Sequence, residues 1–221
     1  MSDRRRLASA CGLLAPTVAV GSLLLATLLA SPETFTWHGK ALSDMGRPGA
    51  ETFWLFNGGL IAAGLVGLPF VWRVWIDVEG ALERAGTGLL AVTIVGMIGV
   101  GVFFLEHTNY YLATDLHGLA ALVTFIGGPI AALVFGVGAW LAGDRRLGGG
   151  SVGFAVASMA NWAIWIWYVQ TVSTDPWAWF ALAEFVAAAL FAGWVFMLAS
   201  RSWRADVQDS YPALVLTDRV G

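Results

Sequence analysis

Six apolar runs, each close to the length that crosses a bilayer, constrain this chain more than any other feature. They cover residues 7–30, 53–75, 86–105, 116–142, 152–172 and 176–200. A hydrocarbon core about 30 Å thick takes roughly 20 residues of helix. No water reaches the backbone there, so a span must satisfy its own N–H and C=O groups, as a helix or as part of a closed barrel. The runs lack the alternation of a barrel strand. They are rich in Gly and Ala, which lets helices approach closely in lipid. The chain is 58% hydrophobic and 12% charged, against about 25% charged in soluble domains, and its mean hydropathy is +0.72. The expected fold is an all-α integral membrane protein. It is a six-transmembrane-helix up-down bundle, one domain over residues 1–200, followed by a loosely folded cytoplasmic tail at 201–221.

Charge orients the bundle. Placing the N-terminus in the cytoplasm puts Arg4, Arg5, Arg6, Arg73, Arg84, Arg145, Arg146, Arg201, Arg204 and Arg219 inside and only Lys40 and Arg47 outside. Cytoplasmic loops carry such an excess, so both termini are expected in the cytoplasm of a cell-membrane protein. Trp37, Trp54, Tyr110, Tyr111, Trp165, Trp167, Tyr168, Trp177 and Trp179 then gather at the outer interface, and Trp72, Trp75, Trp140 and Trp203 at the inner one. The opening apolar region is longer than the roughly 7–15 residues of a signal peptide and is expected to stay as the first span. Cys11 is the one cysteine, which excludes an intramolecular disulfide and CxxC chemistry. Lys40, the one lysine, lies outside the spans and argues against a retinal Schiff base. No basic stripe invites nucleic acid. The expected partners are the bilayer and a small-molecule, ion or lipid ligand.

Local signals refine the frame. "SPE" at Ser31–Glu33 reads as the start of a short interfacial helix in the long outer loop 31–52. "STDP" at Ser173–Pro176 reads as the start of span six, capped by Asp175. "GGGSVG" at Gly148–Gly153 has no Lys to serve a phosphate loop and reads as a flexible cytoplasmic turn. Asn57-Gly58 precedes Pro69, and His117-Gly118 precedes Pro129, at the same spacing. The echo fits either a decayed hairpin repeat or two helices with ordinary Pro kinks.

The polar residues near or within the spans are the candidate site. Ser43, Asp44, Asn57, His107 and His117 fall at the outer end, Asn161 near the middle of span five, and Glu184 about 12 Å beyond Pro176 along span six. A carboxylate in the bilayer costs at least about 2.5–3.5 kcal/mol, so it faces the bundle interior or a wet cavity. Glu184 shares a helical face with Ala181, Ala188 and Phe191, and the two alanines are small neighbours that suit helix contact. Glu184 and Asn161 are therefore either interhelical glue or part of a ligand or proton site. His107 and His117 flank one loop and, with Asp44 or Glu184, offer two imidazoles and a carboxylate, a set that suits zinc. No HExxH is present and neither His lies deep enough for a bis-His haem. The expectation is no bound cofactor, with zinc the one candidate.

The stretches "LSDMG" and "FNGGL", and then "GVFFLEHTNYYLATDLHGLAAL", resemble an uncharacterised membrane family called domain of unknown function 998. Phe104-Leu105 stands where that family shows an aromatic-Pro pair. The resemblance implies a six-span membrane protein without a known activity. Ser43, Asp44, Gly46, Asn57 and His117 are the motif residues it carries over. The expected function is non-enzymatic: binding, transport or membrane organisation through an outward-facing polar pocket. The alternative is a metal-dependent outer-face membrane hydrolase with His/carboxylate ligands.

Overall fold

The computed structural model describes residues 2–107 and 115–210. Six helices follow one another: α1 (Ser2–Leu29), α2 (Phe53–Asp77), α3 (Ala81–Val102), α4 (Leu116–Leu141), α5 (Arg145–Thr171) and α6 (Phe180–Ser210). All six are long and apolar enough to cross a membrane, and no strand occurs among the described residues. The protein is a multi-pass integral membrane protein. Tyr110, Tyr111, Arg219 and the tail beyond Ser210 lie outside the described residues.

Each helix packs on its chain neighbour, and α6 returns to α1, so the six close a ring. Short connections enforce this order. The α4–α5 corner shows how. Gly143 takes φ 95° just past the end of α4. Its N–H donates to Trp140 O, and the Asp144 N–H donates to Ala139 O, the paired bonds of a Schellman motif. Asp144 then caps α5 by accepting from Leu147 N at 3.0 Å. The sequence reading made Gly148–Gly153 a flexible turn, but that stretch is helix. Gly143 and Asp144 supply the reversal, and the following glycines let the two helices close up. A Cβ on Gly148 would stand 2.6 Å from Trp140 N.

The expected ends of two elements move for one reason: their free backbone groups find distant partners. Asp175 closes a turn by accepting from Trp177 N at 2.9 Å, and Trp179 has φ 58°, so α6 begins at Phe180 rather than at Pro176. The N–H groups of Trp179 and Ala181 donate to His38 O and Lys40 O of the loop over residues 31–52. In that loop the interfacial helix expected after Ser31 is a single turn, with Thr34 N and Phe35 N donating to Ser31 O. The helical element comes later, as a 3-10 segment over Leu42–Gly46.

At the other end α6 continues to Ser210, past the loose tail expected from residue 201. Asp206 explains the extension. It is buried, accepting from Arg73 at 2.7 Å and from Ser9 Oγ at 2.6 Å. Arg73 also pairs with Asp77. Arg73, read from sequence as a loop charge, is 3% exposed and ties α1, α2 and α6 together.

Two apolar clusters fill the ring. One, around Phe70, Leu90, Phe135 and Trp194, lies toward the Arg73 end. The other takes in the 31–52 loop, where Phe35, Leu42 and Met45 pack on Leu23, Phe56, Leu60 and Ala181. Asn57 and His117 open α2 and α4, Pro69 and Pro129 lie inside those helices, and both helices pack on α3.

Candidate functional site

The loop over residues 31–52 covers one end of the bundle like a lid, and polar side chains hold it. Glu184 stands four residues into α6, about 6 Å from its start, shallower than the sequence suggested because the helix begins later. Its side chain turns inward and is 6% exposed. Its Oε2 accepts from Leu42 N at 2.7 Å, so the tip of the 3-10 segment rests on α6. Asp44 folds back on that segment, accepting from Ala41 N at 2.8 Å and from Arg47 Nε at 2.6 Å. Arg47 also pairs with Glu106 beyond α3. Burial on its own would lower the Arg47 pKa, but the hydrogen bonds to Asp44 and Glu106 more than reverse this and raise it.

Asn57, on α2, donates to Gly46 O at 2.9 Å and to Phe53 O at 3.0 Å. Its Oδ1 is buried with no partner among the described residues. Thr52 Oγ1 donates to Met45 O at 2.9 Å. Glu51 anchors the start of the loop, accepting from Ser31 N and from Thr34 Oγ1. The Ser31 N–H, chiefly, holds the Glu51 carboxyl down to about 2.

Under the lid, among the helices, lies a partly open cavity of about 110 Å³. Leu60, Met97, Phe125, Ala188 and Phe191 form much of its wall, and Ser43, His117, Thr124, Ser158 and Glu184 are its polar members. His117 sits in the first turn of α4, which Asp115 caps by accepting from Gly118 N at 2.9 Å. Its Nδ1 lies 2.9 Å from Phe103 O at the end of α3, which aligns the ring. One Glu184 oxygen is taken by Leu42, and the other has no hydrogen-bond partner among the described residues.

The seven residues singled out by sequence thus separate into three groups. Ser43, His117 and Glu184 line the chamber. Asp44 and Asn57 clamp the lid. His107 and Asn161 do neither. His107 stacks on Phe104, with centroids 4.2 Å apart, and its Nδ1 lies 3.1 Å from Val102 O. Asn161 donates to Ala183 O at 2.9 Å, which is helix-to-helix glue between α5 and α6. Among the described residues no three His, Cys, Asp or Glu side chains gather as a metal site. His107, His117, Asp44 and Glu184, considered from sequence for zinc, are not gathered into one cluster among the described residues.

The sequence profile of the family described as "Protein of unknown function (DUF998)" matches residues 5–201. The chain belongs to this family. No curated protein and no solved structure matches it. The stretches that first suggested DUF998 now have places in the fold. Leu42–Gly46 is the 3-10 tip of the lid, Asn57 is its clamp on α2, and His117 closes the chamber wall. Gly46 is fixed by contact: a Cβ there would stand 2.6 Å from Phe56 Cδ1 and 2.7 Å from Asn57 Oδ1.

Sequence reasoning passed over Arg47, Glu51 and the Arg73–Asp206–Ser9 cluster. Arg73 carried a signal, since it is a cation inside "VWRVWID", where Asp77 follows at i+4 and so shares its face. Asp206 and Ser9 carried none, because their pairing spans 197 positions.

Proposed function

We propose that this protein binds an amphipathic ligand with a short hydrocarbon portion in the chamber beneath the lid, as a non-enzymatic binding or transport protein. The lid faces the outside of the cell membrane and both termini lie in the cytoplasm, in keeping with the distribution of arginines. One observation carries the reading: a carboxyl and an imidazole, Glu184 and His117, stand among otherwise mostly apolar walls. Ligand sites have this make-up, largely apolar with a few convergent polar groups. The volume of about 110 Å³ is close to that of an apolar cavity of about 150 Å³ that takes benzene. It suits part of a chain rather than a whole lipid. The hydroxyl or amine head would hydrogen-bond to the Glu184 oxygen that Leu42 leaves free.

The test uses decanol carrying a photoactivatable diazirine on its chain, with protein in nanodiscs. Adducts are expected at Met97 and Phe191. Ala188→Trp, which fills the chamber, is expected to abolish them, with excess plain decanol competing. Glu184→Leu removes the ligand's hydrogen bond, worth about 0.5–1.5 kcal/mol, as well as the one from Leu42 N, a weakening of at least roughly twofold to tenfold. Labelling confined to lipid-facing Leu28, Leu65 and Leu141 and indifferent to Ala188→Trp would overturn the reading.

A further inference from the structure

The opposite end of the bundle carries a second depression, of about 620 Å³, between the start of α5 and the last turns of α6. Arg146, Arg201 and Arg204 border it together with Ser200, and Leu147 and Met197 supply its apolar part. All three arginines are exposed. Arg201 pairs with Asp144. Arg146 and Arg204 have no carboxylate partner among the described residues. Asp206 belongs to the same stretch of α6 but is buried against Arg73 and Ser9, so it does not neutralise the groove. Arg146 lies in the first turn of α5, whose N-terminus Asp144 already caps.

The depth is also informative. Trp140, half exposed at the end of α4, stands beside Gly149 of the first turns of α5, and Trp203 lies under Arg6 on α6. Tryptophans settle at headgroup level. A groove at that level, with two unpaired guanidinium forks above an apolar floor, matches a phosphate joined to a hydrocarbon body.

We infer that this groove binds a phosphate-bearing anion, held by Arg146 and Arg204 with Arg201 beside them. The chemistry is shared by an anionic phospholipid headgroup and by free phosphate, and the experiment separates the two sources. Full-length protein in detergent micelles is offered equal amounts of phosphatidylglycerol and phosphatidylcholine, and retained lipid is counted by native mass spectrometry. Preferential retention of phosphatidylglycerol is expected. Arg146→Gln/Arg204→Gln should weaken it on the order of thirtyfold. Arg146→Lys/Arg204→Lys, which keeps charge but not the fork, should fall between. Arg4→Gln/Arg84→Gln, the same loss of charge elsewhere at this end, should leave retention unchanged. Inorganic phosphate at millimolar concentration forms the second arm. Saturable binding with the same dependence on Arg146 and Arg204, and no preference for phosphatidylglycerol, assigns the site to a soluble anion. No preference in either arm, or equal loss in both Gln pairs, overturns the inference.

Discussion

At the scale of single residues, contact geometry decides more than residue type. Gly46 and Gly58 both belong to the stretch that resembles the family, yet their surroundings differ. A Cβ on Gly46 meets Phe56 and Asn57 within 2.7 Å, whereas one on Gly58 meets nothing within 4 Å. Gly46→Ala is expected to destabilise by about 1–3 kcal/mol through overpacking. Gly58→Ala is expected to be neutral or mildly stabilising, since Ala is favoured over Gly by about 1 kcal/mol in helices. Thermal unfolding in detergent compares them. Glu51 sets a second expectation. Its carboxyl, ordinarily near 4.5, is held at about 2. A depressed folded value means that the Glu51 contacts stabilise the lid above about pH 4.5 and lose that contribution as pH falls through about 2. The Ser31 amide resonance should therefore titrate with a midpoint near pH 2, and Glu51→Gln should abolish that titration. A midpoint above 4 would contradict the contact. Neither feature stood in the sequence as such: "DMGRPG" reads as turn chemistry, and the proximity of Ser31 to Glu51 depends on how the loop folds back.

At the scale of elements, the six helices were legible because lipid admits few alternatives for a long apolar run. Their ends were not, because the capping groups bond across the chain. Asp175 reads as the cap of α6 but closes a separate turn, while the N–H groups of Trp179 and Ala181 meet His38 and Lys40 of the 31–52 loop. Nor was the extension of α6 legible, since Arg73 and Asp206 are 133 positions apart. That pair sets its own expectation. Removing one partner of a buried ion pair leaves the other uncompensated and costs about 3–5 kcal/mol. Arg73→Met alone, which removes the cation beside the buried Asp206 carboxylate, should therefore unfold more readily than Arg73→Met/Asp206→Leu, in which the exposed Asp77 is the carboxylate that loses Arg73. Equal losses in the single and double variants, measured by thermal melts, would show that the pair does not join α1, α2 and α6.

For the whole molecule, the ring with a lidded interior is the conclusion on which the proposed function stands. Sequence placed Ser43, His117 and Glu184 at one end of the bundle but assigned His107 and Asn161 to the same pocket, because hydropathy gives depth along a helix and not direction around it. It also foresaw a polar mouth where the walls are mostly apolar. One of the bonds that join lid and ring connects residues 142 positions apart, Leu42 N to Glu184 Oε2. Hydrogen exchange over residues 41–46 measures that join directly. In the unmodified protein the segment should exchange slowly. Glu184→Gln, which keeps an acceptor, should preserve most of that protection. Glu184→Leu strands the Leu42 N–H at a cost of about 1–3 kcal/mol, which should speed exchange about fivefold to hundredfold while α2 and α4 stay protected. Exchange in 41–46 that is fast from the outset, or unchanged in Glu184→Leu, would contradict the account.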